Sequence, residues 1–224
     1  MAAVSRSLSV SLVLHSLRLR SPATAEQVAD RFDLDRDDVR DALASAEATG
    51  WAQHRDGRFG GWVLTTSGRR HGERLLSEEL AAALVSADVT DAYRRFRGLN
   101  PELLAVCSAW QVIDVDGVLV PNPHDDSGRD AEVMDRLASL HGRVEIVTAM
   151  LSRSLERFGG YGHRLDSAFD RVMTGDTDWL TRPGIDSYHT VWFELHEDLL
   201  ATLGRNRADE RHEEEAAMAS HEPA

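Results

Sequence analysis

The chain has 224 residues, 42% hydrophobic and 28% charged, which suits one large domain or two small ones, each with its own core. Its formal charge of −13 argues against a protein that coats nucleic acid indiscriminately. The single cysteine, Cys107, excludes an internal disulfide and zinc sites of the paired-cysteine type. All 25 basic residues are arginine, and they are unevenly spread. Residues 1–75 carry 11 Arg against 10 acids, a net of +1, and the remainder carries −14. The acid therefore lies away from the N-terminal third.

Leu8–Leu19 reads as a first helix with Val10, Val13, Leu14 and Leu17 on one face. Ser9, Ser11, His15, Ser16 and Arg18 interrupt it, so it is too short and polar to span a membrane, and no cleavage pattern follows. A cytoplasmic chain with no membrane partner is expected. Ser21-Pro22 stops this helix. Thr24, with Gln27 three residues on, has the form of a capping box and opens a second helix through Val28, Ala29 and Phe32. Asp33-Leu34 breaks the chain, and Asp35 caps a third helix to Ala48, with Val39, Ala42, Leu43 and Ala46 at helical spacing. Gly50 ends it.

Two short helices joined by so brief a turn have the helix-turn-helix form, in which the second helix enters the major groove. Residues 51–55 and 61–65 then read as two strands about Asp56–Gly60. An arginine-bearing hairpin at that place is a wing. It brings Arg55 and Arg58 to phosphates or the minor groove. Thr24–Phe32, Asp35–Gly50 and above all Leu64-Thr65-Thr66-Ser67-Gly68-Arg69 resemble the MarR and PadR-like winged-helix regulators of bacteria. The last run resembles the step by which many of them leave the wing. The resemblance covers about a third of the chain and implies a homodimer on double-stranded DNA. On this reading Arg36 and Arg40 approach the bases while Arg55, Arg58 and Arg69 hold the backbone. One feature opposes it: residues 35–47 carry Asp35, Asp37, Asp38, Asp41 and Glu47 against Arg36 and Arg40 alone. Those acids cap the helix and favour its N-terminal dipole, or else the helix docks a protein rather than an operator.

Beyond Ser67 the chain reads as helical. One or two helices run to Leu99, another starts at Asn100-Pro101 with proline in its first turn, and a long run contains Val133, Leu137, Leu140, Val144, Val147, Leu151, Leu155 and Phe158. Further helices span Tyr161 to Gly175 and Asp186 to Leu203. Gln111–Leu119 contains Asp114-Val115-Asp116-Gly117, which resembles the first motif of haloacid dehalogenase-like phosphatases, with Val144–Thr148 as their threonine strand. That resemblance implies a nucleophilic Asp114 and an acid/base Asp116. The missing lysine and the helical spacing through Val144–Thr148 oppose it, and a polar connector accounts for the same residues.

Trp110, His189, Trp192, Phe193 and His196 are the kind of large, partly polar residues that line an effector pocket; ordinary helix packing competes with this reading and is the stronger account of Trp192. No metal-ligand pattern and no cofactor motif is found. The expected architecture is mainly α: a winged helix-turn-helix with a small two-stranded wing over 1–78, an α-helical domain for dimerisation and small-molecule sensing over 79–205, and a disordered tail over 206–224.

Overall fold

The computed structural model describes residues 2–58 and 60–219, with side chains from 10 to 58 and from 60 to 213. The chain is mainly helical, at 72% helix, and its short strands form two separate antiparallel hairpins. Two compact units divide it: residues 1–84 with 196–224, and residues 85–195. This differs from the expected succession of segments, because the C-terminal stretch is counted with the N-terminal one.

The first unit starts with α1 (Ala2–Leu19), α2 (Ala25–Arg31) and α3 (Arg36–Ala48). Thr24 Oγ1 accepts from the Gln27 N–H at 3.2 Å while the Gln27 side chain accepts from the Thr24 N–H at 2.9 Å, which completes the capping box. Asp35 accepts from the N–H groups of Asp37 and Asp38 at 2.8 and 3.1 Å, so α3 begins where its first donors find a carboxylate. At the far end Trp51 N donates to Ala46 O and Gly50 N to Glu47 O, the paired bonds of a Schellman stop. Val13, Leu14 and Leu17 of α1 share one apolar core with Val28, Val39 and Leu43.

Two strands follow, β1 (Ala52–Arg55) and β2 (Gly61–Leu64), paired from Ala52↔Leu64 to Arg55↔Gly61. The link between α1 and α2 adds a bridge to this hairpin: Ala23 N donates to Trp62 O at 3.1 Å and Trp62 N to Ala23 O at 2.8 Å. The next element, α4 (Thr66–Ala83), is anchored back on the end of α3. Thr65 Oγ1 donates to the carbonyls of Gly50 and Trp51 and accepts from Gly68 N, and Ser67 Oγ donates to Gly50 O. Because one hydroxyl caps α4 and ties it to the hairpin base, Thr65→Ala is expected to cost about 2 kcal/mol. Chemical denaturation followed by circular dichroism checks this, and Thr65→Ser should recover most of the loss.

The C-terminal part of this unit contributes a buried pair, His15 Nε2 to Asp198 Oδ1 at 3.0 Å, with side chains 1% and 0% exposed. A contact between residues so distant in sequence leaves no periodic signal, which is why this segment was not assigned to the first unit. Residues 206–224 were expected as a disordered tail. Instead α10 spans Arg207–Ala219, and its Glu210, only 6% exposed, lies 2.8 Å from His196 Nε2. Residues 220–224 of that expected tail lie outside the described residues.

In the second unit α5 (Ser86–Gln111) runs unbroken through Pro101, where the sequence suggested a new helix start. Proline in a helix interior removes one hydrogen bond and costs about 3 kcal/mol. The buried residues on either side, Tyr93 and Phe96 before it and Leu103 and Val106 after it, carry the helix across. A hairpin follows, β3 (Val112–Val115) and β4 (Val118–Pro121), then α6 (Ser127–Ser154). Asp126 caps α6 by accepting from Gly128 N and Arg129 N. After a 3-10 turn come α7 (Gly159–Met173), the short α8 (Asp178–Thr181) and α9 (Tyr188–Thr202). The division between the units falls within α9, at 195/196. Leu137, Leu140 and Leu151 of α6 are fully buried, as are Phe158 and Tyr188. No helix among the described residues is long and apolar enough to cross a membrane.

Candidate nucleic-acid interface

All five arginines singled out in the sequence lie in the first unit, and all are exposed. Arg36 and Arg40 stand on the outer side of α3, whose other face is buried through Val39, Ala42, Leu43 and Ala46. Neither is a bare cation. Arg36 lies 3.6 Å from Asp30, and Arg40 is bound to Asp37 one turn away. Asp37, Asp38, Asp41 and Glu47 share that exposed surface. Asp35 is held below the usual carboxylate range by the backbone N–H groups of Asp38 and Asp37, so it stays ionised as a cap.

Arg55 ends β1 and Arg58 lies in the turn beyond it. With the Gln53 amide turned so that its oxygen faces Arg55, that oxygen accepts from the guanidinium at 3.1 and 3.2 Å. Phe59 lies outside the described residues. Behind the hairpin the base is stiffened by rings: His54 meets Trp62 edge-on at 5.3 Å, and Trp51 stacks on His71 at 3.7 Å. Burial and the nearby Arg74 push the His71 pKa down, which keeps that ring neutral against the indole. Arg69 is exposed in the first turns of α4, beside Arg70. A cation-bearing hairpin directly after a capped helix is a surface that can hold phosphates, while the outer face of α3 is too acidic to do so by charge alone.

The five residues expected to line an effector pocket have different surroundings. Trp192 is core: it stacks on Phe96 at 4.4 Å, and its Nε1 donates to Asn100 at 3.0 Å. Phe193 is 47% exposed. Trp110 packs against His124 near the β3–β4 hairpin, at 4.2 Å. His189 is half-buried, with its pKa lowered by that burial. His196 is paired with Glu210 in the other unit. His189, Trp192, Phe193 and His196 stand at i, i+3, i+4 and i+7 and so share one stripe of α9, but their exposure differs along it. A cleft of about 310 Å³ in the second unit is lined by Asp114, Arg129, Glu132 and Arg136 together with apolar side chains.

Asp114 lies in β3, and Asp116 is in the exposed two-residue turn that joins β3 to β4. Asp114 Oδ1 accepts from Gly117 N at 2.7 Å, and Asp116 and Gly117 both have positive φ, 55° and 83°. Val144–Thr148 lies inside α6 rather than in a strand. No parallel strand pair occurs among the described residues, so the nucleophile-bearing strand of the phosphatase motif has no counterpart there.

A cluster the sequence reading passed over lies in the second unit: ligand atoms of His141, Glu145 and Asp166 fall within 4.8 Å of one another. His141 and Glu145, four residues apart within the long helical run, were the available signal. Asp166 comes from another helix and could not be paired with them by spacing.

No family model matches the chain, and neither a curated protein nor a solved structure matches it.

Proposed function

We propose that the chain is a DNA-binding transcriptional regulator of the winged-helix type, similar to MarR and PadR-like proteins, acting as a homodimer on a pseudo-palindromic operator. The observation that carries this reading is the order and exposure of α2, α3 and the β1–β2 hairpin, with Arg55 and Arg58 solvent-exposed at the hairpin tip. In it α3 is the recognition helix and the hairpin is the wing. Arg69 adds a backbone contact from the start of α4. The acids at the N-terminus of α3 act as caps, and Arg36 and Arg40 exchange their Asp partners for DNA.

A competition experiment tests it. The purified chain is titrated by fluorescence anisotropy onto its own upstream DNA with excess unrelated duplex present. Binding that survives the competitor and is lost in Arg55→Ala/Arg58→Ala supports the regulator.

A second reading rests on one specific observation: both arginines of α3 are already neutralised by aspartates, and the rest of that exposed face is acidic. Such a face suits a basic protein partner. In that case the hairpin variant changes nothing, and Asp37→Asn/Asp38→Asn/Asp41→Asn abolishes the association instead.

A further inference from the structure

We propose that His141, Glu145 and Asp166 form a binding site for a divalent first-row transition cation, zinc or manganese in chemical class, pinning α6 to α7. The three side chains each offer one donor atom, all within 4.8 Å of one another. A metal about 2.1 Å from each donor sets donor–donor distances of roughly 3.0–3.4 Å, so side-chain rotation at the two solvent-accessible carboxylates draws the set inward on binding. One imidazole with two carboxylates suits zinc and manganese, and leaves positions for water.

The histidine is already held as a ligand would be. Its ring lies flat on Phe169, at 4.0 Å and 12°, and meets Tyr188 edge-on. Its Nδ1 lies 3.2 Å from the Tyr188 hydroxyl, while Nε2 faces Asp166 Oδ1 at 3.5 Å. With Nδ1–H donated to the hydroxyl oxygen, Nε2 presents its lone pair on the side of Asp166. This is the outer contact that fixes tautomer and orientation in metal-bound histidines. The ring is 7% exposed and the carboxylates are open to solvent, which gives a cation a fixed nitrogen donor and an entry path.

The charges agree with this geometry. Burial lowers the His141 pKa and so favours its neutral, ligating form. Burial, with Glu145 and Asp170 adding repulsion, raises that of Asp166 even though His141 and His163 oppose the shift. Carboxylates crowded against one another on two packed helices are relieved by a cation. The proposal is independent of the DNA-binding reading.

The test uses the full untagged chain, stripped with a chelator, desalted and titrated with Zn²⁺ and separately with Mn²⁺ by calorimetry, with thermal unfolding measured in parallel. One equivalent is expected to bind with a micromolar Kd and to raise Tm. Asp166→Asn and Glu145→Gln should each weaken binding at least 10-fold and remove the Tm rise, and Tyr188→Phe should weaken it roughly 10-fold through the lost outer contact. Both carboxylates are solvent-accessible, so these variants are expected to fold, and metal-free circular dichroism verifies it. Asp135→Asn, exposed on the same helix, serves as the control and should bind as the wild type does. Saturable binding that Asp166→Asn and Glu145→Gln leave at wild-type affinity, or no saturable binding at all, overturns the proposal.

Discussion

Replacing Gly68 by alanine should destabilise the first unit by about 3 kcal/mol, while the same replacement at Gly72, one turn along the same helix, should be neutral or stabilising. A Cβ on Gly68 would stand 1.9 Å from the Trp51 carbonyl oxygen and 2.7 Å from its carbon. Both are backbone atoms and cannot rotate away. The start of α4 would have to lift off the hairpin base, breaking the Thr65 and Ser67 bonds to Gly50 and Trp51. Overpacking at fixed backbone costs about 1–3 kcal/mol, and the lost capping bonds place this case at the upper end. A Cβ on Gly72 meets only Leu14 Cβ at 3.7 Å, an ordinary contact, so there the helix preference for alanine should contribute about 1 kcal/mol. Hydrogen exchange read by mass spectrometry separates the two. Gly68→Ala should lose protection across α1 to α4 and keep it in α6 and α7. Equal behaviour of the two variants would contradict the close approach at Trp51.

Removing Arg164 should cost the second unit a comparable amount, about 3 kcal/mol. Its guanidinium binds Asp186 at 2.8 Å and Glu194 at 2.6 Å, and the Glu194 side chain is only 5% exposed. Hydrogen bonds and charge from these two acids raise the Arg164 pKa against a burial that acts to lower it. Truncation to alanine removes the guanidinium from a buried carboxylate, and breaking such a pair costs about 3–5 kcal/mol when both groups are fully buried. The partial exposure of Asp186, at 40%, places this one at the low end. The double variant Arg164→Met/Glu194→Met should recover most of the loss, because an apolar pair carries no stranded charge. A double variant as unstable as Arg164→Ala would show that packing, not charge, sets the cost. Denaturant unfolding monitored by circular dichroism reads both.

Much of the first unit was legible in the sequence because its signals are local. The Thr24–Gln27 box, the Asp35 cap and the Gly50 stop each act within a few residues, and each sits where spacing put it. Leu64-Thr65-Thr66-Ser67-Gly68 was noticed as a family likeness. The structure supplies its physics, a hydroxyl cap and a glycine that admits the Trp51 carbonyl. The Ala23–Trp62 bridge was not legible, since a single pair of backbone bonds imposes no pattern on side chains. The β3–β4 hairpin was legible in principle. Asp116-Gly117 between apolar residues is a strong two-residue turn signal, and the phosphatase resemblance rests on the same short run. Pro101 misled for the opposite reason, because a local rule was overridden by burial on both sides of it. Long-range pairing, His15 with Asp198 or His141 with Asp166, left no trace at all. As for the candidate interface, charge and order placed Arg55 and Arg58, and the i,i+3 spacing of Asp37 and Arg40 carried their pairing, but the approach of Arg36 to Asp30 across the turn appeared only in three dimensions.

The central claim, that the hairpin arginines hold DNA phosphates, is tested most directly by the salt dependence of binding. Anisotropy titrations of the chain on its upstream DNA, repeated at several salt concentrations, give the slope of log K against log salt, roughly −0.9 for each phosphate contact. A steep negative slope in the wild type that becomes shallower by about 2 in Arg55→Ala/Arg58→Ala is the predicted result. A slope that the double substitution leaves unchanged, or binding too weak to titrate even at low salt, would contradict the account and direct attention to the acidic face of α3.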